Sequence, residues 1–264
     1  MKEKLYVVKI GGNVIDQEDD LNVFIQDFSK IEGKKILVHG GGKIATQIGK
    51  RLGIKPNYYE GRRITDDATI NLCTMVYGGL INKKIAALLC KNNCPALGLT
   101  GADGHMIKAH KRPVNNGIDF GWVGDVDDVN NDLLKKLIDA DLVPVLAPLT
   151  VDYLGNILNT NADTIASVVA ASVADHFDVI LIYCFEKNGV LTDVKDSQSL
   201  IPTMDFERFE ELKSGGSIQA GMLPKMTNSF DALNAGVSQV VIGNSDKVLS
   251  LTQEDFAQCT RINL

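Results

Sequence analysis

No run of this 264-residue sequence approaches the ~18 consecutive apolar residues of a membrane-spanning helix. The first residues, Met-Lys-Glu-Lys followed by a six-residue apolar run, lack the long apolar region of a secretory leader. Basic residues are not in excess: 27 Lys and Arg stand against 33 Asp and Glu, a net charge of −6. Such a chain has no diffuse positive field to draw it to nucleic acid or to an anionic membrane, so neither is expected as a partner. Cysteine is sparse, odd in number and scattered (Cys73, Cys90, Cys94, Cys184, Cys259). That pattern excludes a disulfide framework and a zinc-ligand pair of pairs, and points to a reduced, cytoplasmic protein. The four histidines have no metal-ligand spacing, and no Ser/His/Asp order suggests acyl-enzyme chemistry. Proline and glycine, at 7 and 24, are too near ordinary usage for a collagen-like or low-complexity chain.

What the chain does contain is an alternation of short apolar runs with longer segments of helical period. Leu5–Ile10, Lys35–Val38, Pro95–Leu99, Val143–Leu146, Val179–Tyr183 and Gln239–Ile242 read as strands. Between them, Leu21–Ile31, Lys43–Leu52, Asp66–Lys91, Leu133–Ala140, Ala162–Ala174 and Met226–Ala235 read as helices. Apolar strands separated by helices predict a compact α/β fold whose mostly parallel sheet is buried on both faces, with Gln239–Ile242 closing the series. Alternating segments with Gly turns, at Met106–Val129 and Thr150–Leu158, predict β-hairpins beside that sheet. Ligands of open α/β sheets bind beyond the carboxyl ends of the strands. The polar residues that follow each apolar run therefore carry the functional reading.

The first strand ends Val8-Lys9-Ile10-Gly11-Gly12. Lys9 either snorkels from an edge strand or meets an anion, and the two glycines allow a ligand to approach the backbone. The second strand ends His39-Gly40-Gly41-Gly42 and feeds a helix. Successive glycine amides at a helix start can cradle an anion, although one glycine would suffice for a tight turn. Neither turn matches a dinucleotide fingerprint or a Walker loop. Asn159-Thr160-Asn161-Ala162-Asp163 precedes a small-residue helix. Capping accounts for Asn161 and Asp163 but leaves Asn159 unassigned. In Gly221-Met222-Leu223-Pro224-Lys225 the proline suits a helix start, whereas a lysine in the first turn is opposed by the helix dipole unless an anion is near. Glu60-Gly61-Arg62-Arg63-Ile64-Thr65-Asp66 sets two guanidinium groups before the long helix, suited to a carboxylate or to a surface ion pair.

Together with Gly79-Leu80-Ile81-Asn82-Lys83, Leu99-Thr100-Gly101-Ala102-Asp103-Gly104 and Gly121-Trp122-Val123-Gly124-Asp125-Val126, these motifs resemble, in order and over nearly the whole chain, the amino acid kinase family. Within it they are most similar to the kinases of N-acetylated glutamate. The resemblance implies a three-layer α/β/α sandwich and a single amino acid kinase domain over 1–264. Roughly, residues 1–175 would bind the acylated amino acid and residues 176–264 the ATP. By the same resemblance Lys9, Lys225 and Asp163 are catalytic, with both lysines neutralising the transferring phosphoryl group and Asp163 orienting them. Gly41, Gly42, Arg63, Asn159 and Asn161 would hold the substrate. Gly11, Gly12, Glu186, Gly189, Gly221 and Met222 would lie on the ATP side, with Mg²⁺ carried by the ATP phosphates. Gly11 is expected to give an amide N–H to the phosphoryl group or the substrate carboxylate.

Two stretches depart from the family pattern. Cys184-Phe185-Glu186-Lys187-Asn188-Gly189 replaces the usual Thr/Ser-Asp-Val-x-Gly, and Arg62 stands where an apolar residue is more usual. A second guanidinium leaves open a dicarboxylic cap such as succinyl in place of acetyl. Also open are a kinase of the same fold acting on glutamate, carbamate or a nucleoside monophosphate, and a nucleotide-binding protein that has lost catalysis. Family members inhibited by arginine carry an additional amino-terminal helix that joins dimers. Here the first strand starts by Leu5, which implies an arginine-insensitive homodimer.

Overall fold

The computed structural model of the protein describes residues 2–59, 61–114, 116–193, 195–196, 198–215 and 222–264. The amino-terminal elements in chain order are β1 (Lys4–Ile10), α1 (Gly12–Asp16), α2 (Glu18–Ser29), β2 (Lys34–His39), α3 (Gly42–Arg51), β3 (Asn57–Tyr59) and β4 (Arg62–Ile64). Next come α4 (Asp67–Cys73), a π-helical segment (Thr74–Ile81), α5 (Asn82–Lys91), β5 (Ala96–Leu99), β6 (Ile107–Lys111), β7 (Gly124–Val129), α6 (Asn131–Asp139) and β8 (Val143–Leu146). The chain continues through β9 (Leu149–Val151), β10 (Ile157–Asn159), α7 (Ala162–Ser172), β11 (Asp178–Phe185), β12 (Thr203–Met204) and α8 (Phe206–Ser214). It ends with α9 (Leu223–Asn234), β13 (Gln239–Asn244), α10 (Val248–Thr252) and β14 (Cys259–Ile262).

Eight strands form the central sheet in the order β12-β14-β13-β11-β1-β2-β8-β5. Every pairing in it is parallel except β13 with β14. Side chains alternate across it and both faces are covered, which is why its central strands are mostly apolar. On β1, Leu5 and Val7 join the core shared with α6, α7, α8 and α9, while Tyr6, Val8 and Ile10 join the core beneath α1 to α5 and α10. These two cores are the predicted layers on either side of the sheet. The same alternation sends Lys9 toward α7 and α9, and His39 toward the long helical stretch α4 to α5.

The helices begin where the sequence offers caps. The side chains of Asp66, Asn130, Asn161 and Asp205 accept from backbone N–H groups in the first turns of α4, α6, α7 and α8. Three acidic residues, Glu18, Asp19 and Asp20, open α2 earlier than its apolar period suggested, where the dipole favours them. The two predicted hairpins, β6–β7 and β9–β10, are antiparallel pairs joined into one four-stranded sheet through β6 and β9.

The expectation that Gln239–Ile242 closes the series is corrected: β14 follows it and pairs antiparallel at the far side of β13. Helix α8 and the small hairpin β3–β4 are further additions. The stretch Asp67–Lys91 is long and apolar enough to cross a bilayer by length and composition. One side of it is part of the core, through Leu72, Val76, Tyr77, Ile81, Ile85 and Leu89.

Candidate active site

Lys9 lies near the carboxyl end of β1, Asp163 in the first turn of α7 and Lys225 in the first turn of α9. One oxygen of Asp163 is 2.8 Å from the Lys9 ammonium and 2.9 Å from that of Lys225. The lysines are 9% and 7% exposed, and the Asp163 side chain 13%, so this charge triad is nearly out of water. It carries one surplus positive charge when all three groups are ionised.

Local chemistry explains the placement. Asn161 caps α7 by accepting from the Asp163 N–H at 2.7 Å, which orients the first turn. The Asp163 carbonyl accepts from the Tyr183 hydroxyl at 3.1 Å, and the Lys225 ammonium lies 4.5 Å from the centre of the Tyr183 ring. Burial opposes ionisation of Asp163, but Lys225 and Lys9 outweigh it and hold the carboxyl well below the usual carboxylate range. Burial lowers the Lys225 ammonium to about 8, against the pull of Asp163 and with the repulsion of Lys9.

Two glycine turns flank the triad at the ends of β1 and β2. The Gly11 N–H donates to the Cys184 carbonyl at 3.3 Å, and the Gly40 N–H to the Ile10 carbonyl at 3.2 Å. Those two amides are occupied, contrary to the donor role expected of Gly11. The amides of Gly12, Gly41 and Gly42 carry no protein hydrogen bond among the described residues and sit at the starts of α1 and α3. Gly41 is buried, and a Cβ there would collide with Ile81 and lie 3.0 Å from Tyr77. Only glycine lets this turn lie against the π-helical segment. Lys43, in the first turn of α3, donates to Asn13 on α1 and so ties the two turns together.

Arg63 reaches the same place from β4. Its Nη2 donates to the Thr46 hydroxyl (2.7 Å), the Tyr58 hydroxyl (2.7 Å) and the Gly42 carbonyl (3.1 Å). Its remaining N–H groups have no protein acceptor among the described residues, which leaves a guanidinium edge for a carboxylate. Arg62, the residue before it on the strand, is exposed and projects to the opposite face. The Asn159 side chain donates to the Thr65 hydroxyl at 3.1 Å. The backbone of Thr65 exchanges hydrogen bonds with Phe120 and Trp122 (2.9 and 2.7 Å), and Asn159 N–H donates to the Trp122 carbonyl. The segment after β4, the Gly121 turn and β10 thus form one frame. Gly121 has φ +67°, and a Cβ there would strike the Thr65 carbonyl.

The structure brings Lys9, Asp163, Lys225 and Asn161 into direct contact, and joins Arg63 to Gly42. Met222 immediately precedes α9, without a side-chain capping bond, and is half-buried against the core. Glu186 follows β11 and is exposed, and Gly189 is buried against Thr260, where a Cβ has no room. Gly221 lies outside the described residues. Tyr58 and Thr46, which accept from Arg63, and Lys43, which ties the two turns, were not among the expected site residues. The signal for the first was present, since Tyr58-Tyr59 stands across a Gly turn from Arg62-Arg63.

Two ammonium groups at a strand end, free amides at two helix starts and a guanidinium edge together suit a polyanion and a carboxylate. The family model for the amino acid kinase family matches residues 4–244. The chain belongs to the amino acid kinase family. It is 50% identical over 260 residues to the acetylglutamate kinase of Cytophaga hutchinsonii, covering 98% of each chain. It is 54% identical over 242 residues to the acetylglutamate kinase of Bacteroides fragilis, covering 92% of each. Among solved structures it is similar to N-acetylglutamate synthase from Neisseria gonorrhoeae in complex with coenzyme A and N-acetyl-glutamate. That match has a TM-score of 0.82 at 22% identity and covers 98% of this chain and 59% of that one. Carbamate kinase from Giardia lamblia bound to AMP-PNP matches with a TM-score of 0.68 at 15% identity, covering 98% of both chains. The two structural matches speak for the fold.

Proposed function

We infer that the protein is an ATP-dependent kinase that phosphorylates the γ-carboxylate of N-acetyl-L-glutamate, an activity of arginine biosynthesis. The near-buried Lys9–Asp163–Lys225 triad between two glycine turns is the observation that carries it, and full-length identity of about one half to acetylglutamate kinases supports the acceptor.

The acceptor carboxylate, with a reference pKa of about 4.3, is already an ionised nucleophile at neutral pH. No general base is needed, and the work is positioning and charge neutralisation. Lys9 and Lys225 neutralise the oxygens of the transferring phosphoryl group, and Asp163 holds both ammonium groups in place. The amides of Gly12, Gly41 and Gly42 donate to the phosphoryl group and the acceptor carboxylate, while Gly11 shapes the first turn. Arg63, Asn159 and Asn161 hold the acylated amino acid, in the half spanning residues 1–175. The ATP side, in residues 176–264, takes in Glu186, Gly189, Met222 and Gly221. A Mg²⁺ ion is proposed to be carried by the ATP phosphates, with oxygen ligands of the kind this ion takes. That ion would add charge neutralisation at the phosphates. A homodimer is proposed through the long helical stretch, where Met75 and Leu80 are 56% and 51% exposed beside the edge strand β5. Five free thiols suit work in the cytoplasm.

A coupled assay should register ADP release with N-acetylglutamate, together with an acyl phosphate trapped by hydroxylamine. ADP release with carbamate or free glutamate but not with the acetylated acceptor would overturn the reading. Arg63→Leu is expected to raise KM for the acceptor by ~10-fold or more, the scale of a charged hydrogen bond. Arg62→Leu, on the opposite face, should leave KM and the preference between acetyl and succinyl caps within about twofold, because exposed charges contribute little. A succinyl preference that Arg62→Leu abolishes would put Arg62 in the site after all.

The ionisation of Lys225 sets a pH dependence. In the free enzyme kcat/KM should fall above about pH 8 as Lys225 loses its proton. Bound phosphoryl oxygens favour the ammonium form, so the fall in kcat should lie at higher pH. Coincident alkaline limbs would show that Lys225 does not face the phosphoryl group.

A further inference from the structure

His39 and Asn82 are fully buried polar residues for which phosphoryl transfer has no direct use. They lie on the face of the sheet opposite Lys9, behind the Gly40–Gly42 turn. His39 Nδ1 is 2.8 Å from the carbonyl oxygen of Gly40, so Nδ1 carries the proton and donates. Nε2, 3.1 Å from the Asn82 side-chain nitrogen, then accepts. The same Asn82 nitrogen donates to the Val145 carbonyl on β8 at 2.9 Å, which fixes the orientation of the amide. The Asn82 Oδ1 is buried and meets no donor among the described residues. A side chain that leaves its own oxygen unmatched is a poor choice for stability alone. Its donor side, however, selects the imidazole tautomer that can hold the Gly40 carbonyl.

Asn82 is also the first residue of α5, directly after the π-helical segment, and Tyr77 and Ile81 of that segment pack on Gly41. A single stretch, residues 77–82, therefore supports the turn twice, once by packing and once through His39. Short π-helical segments recur at functional sites.

We propose that Asn82 and His39 are positioning residues that hold the Gly40 carbonyl from behind, so that the Gly41 and Gly42 amides face the reacting groups. The proposal rests on the kinase reading for its kinetic consequence and on the hydrogen-bond chain alone for its structural one.

Imidazole ¹⁵N shifts of the whole protein should show His39 neutral with the proton on Nδ1, and in Asn82→Leu that tautomer should lose its dominance. Asn82→Leu should also lower kcat by ~30-fold or more, with both KM values within about threefold and a cooperative thermal transition retained, because amide donors act chiefly in the transition state. If Asn82→Leu does not fold, His39→Asn, which keeps a donor near the Gly40 carbonyl, is compared with His39→Leu. The asparagine variant should stay within about fivefold of wild-type kcat and the leucine variant fall by ~30-fold or more. A proton on Nε2 in the wild type, a folded Asn82→Leu with kcat near wild type, or equal losses in the two His39 variants would each overturn the proposal. A wild type inactive on N-acetylglutamate would sink the kinase reading only, since the tautomer measurement needs no substrate and then decides alone.

Discussion

Lys9→Ala and Lys225→Ala should each lower kcat by about 10²-fold or more, the scale of removing one preorganised charge from a transition state. Both ammonium groups are held in place before substrate arrives, being nearly buried and anchored to a single carboxylate oxygen, so no reorganisation is needed when phosphoryl charge develops. The two should not be additive. With either lysine gone, Asp163 keeps one partner, the triad loses its surplus positive charge, and the second removal takes away less than the first. Steady-state rates of the two single variants and the double variant, each checked for folding, test this. A single variant within a few fold of wild-type kcat would remove that lysine from the mechanism.

The parts legible in the sequence were those governed by local pattern. Apolar runs marked six strands of the main sheet, and the three members of the triad were found as polar residues at the end of one such strand and in the first turns of two helices. Lys9 stood out as a cation in a buried strand and Lys225 as a cation at a helix start, and one anion between them resolves both anomalies. What escaped was set by tertiary contact. Strands β3 and β4 have three residues each and exist because Arg63 and Tyr58 close on α3. Strand β14 is only four residues long, with Thr260 and Arg261 at its middle, and pairs antiparallel near the sheet's margin, so the apolar runs used for the other strands could not find it. The π-helical segment has the composition of an ordinary helix. Its widened turn packs on Gly41, more than 30 positions away, a contact no local window contains. Helix α8 was the avoidable miss, since Asp205 before Phe206-Glu207-Arg208-Phe209 is a cap followed by an amphipathic turn.

Asp163→Asn should lose stability as well as rate. The amide leaves two ammonium groups facing each other with no anion between them, and breaking a nearly buried pair in this way costs about 3 kcal/mol. The start of α7 should survive, because the cap at Asn161 is untouched. The pH dependence of that cost identifies its cause. The folded-state pKa of Asp163 is depressed, so its contribution is complete above the unfolded value near 3.8 and is lost as pH falls toward the depressed one. The gap in unfolding free energy between wild type and Asp163→Asn should therefore stay level from neutral pH to about pH 4, then narrow in more acid solution, where both side chains are neutral. Urea titrations at several pH values measure it. A gap that widens in acid would mean that Asp163 is not held ionised by its lysines, and a level gap down to about pH 2 would place the loss in packing rather than charge. In parallel, kcat should fall by about 10²-fold, since the lysines lose the group that aims them at the phosphoryl oxygens. A slow but stable variant would separate the two roles of this carboxylate, and an unstable but fast one would deny the first.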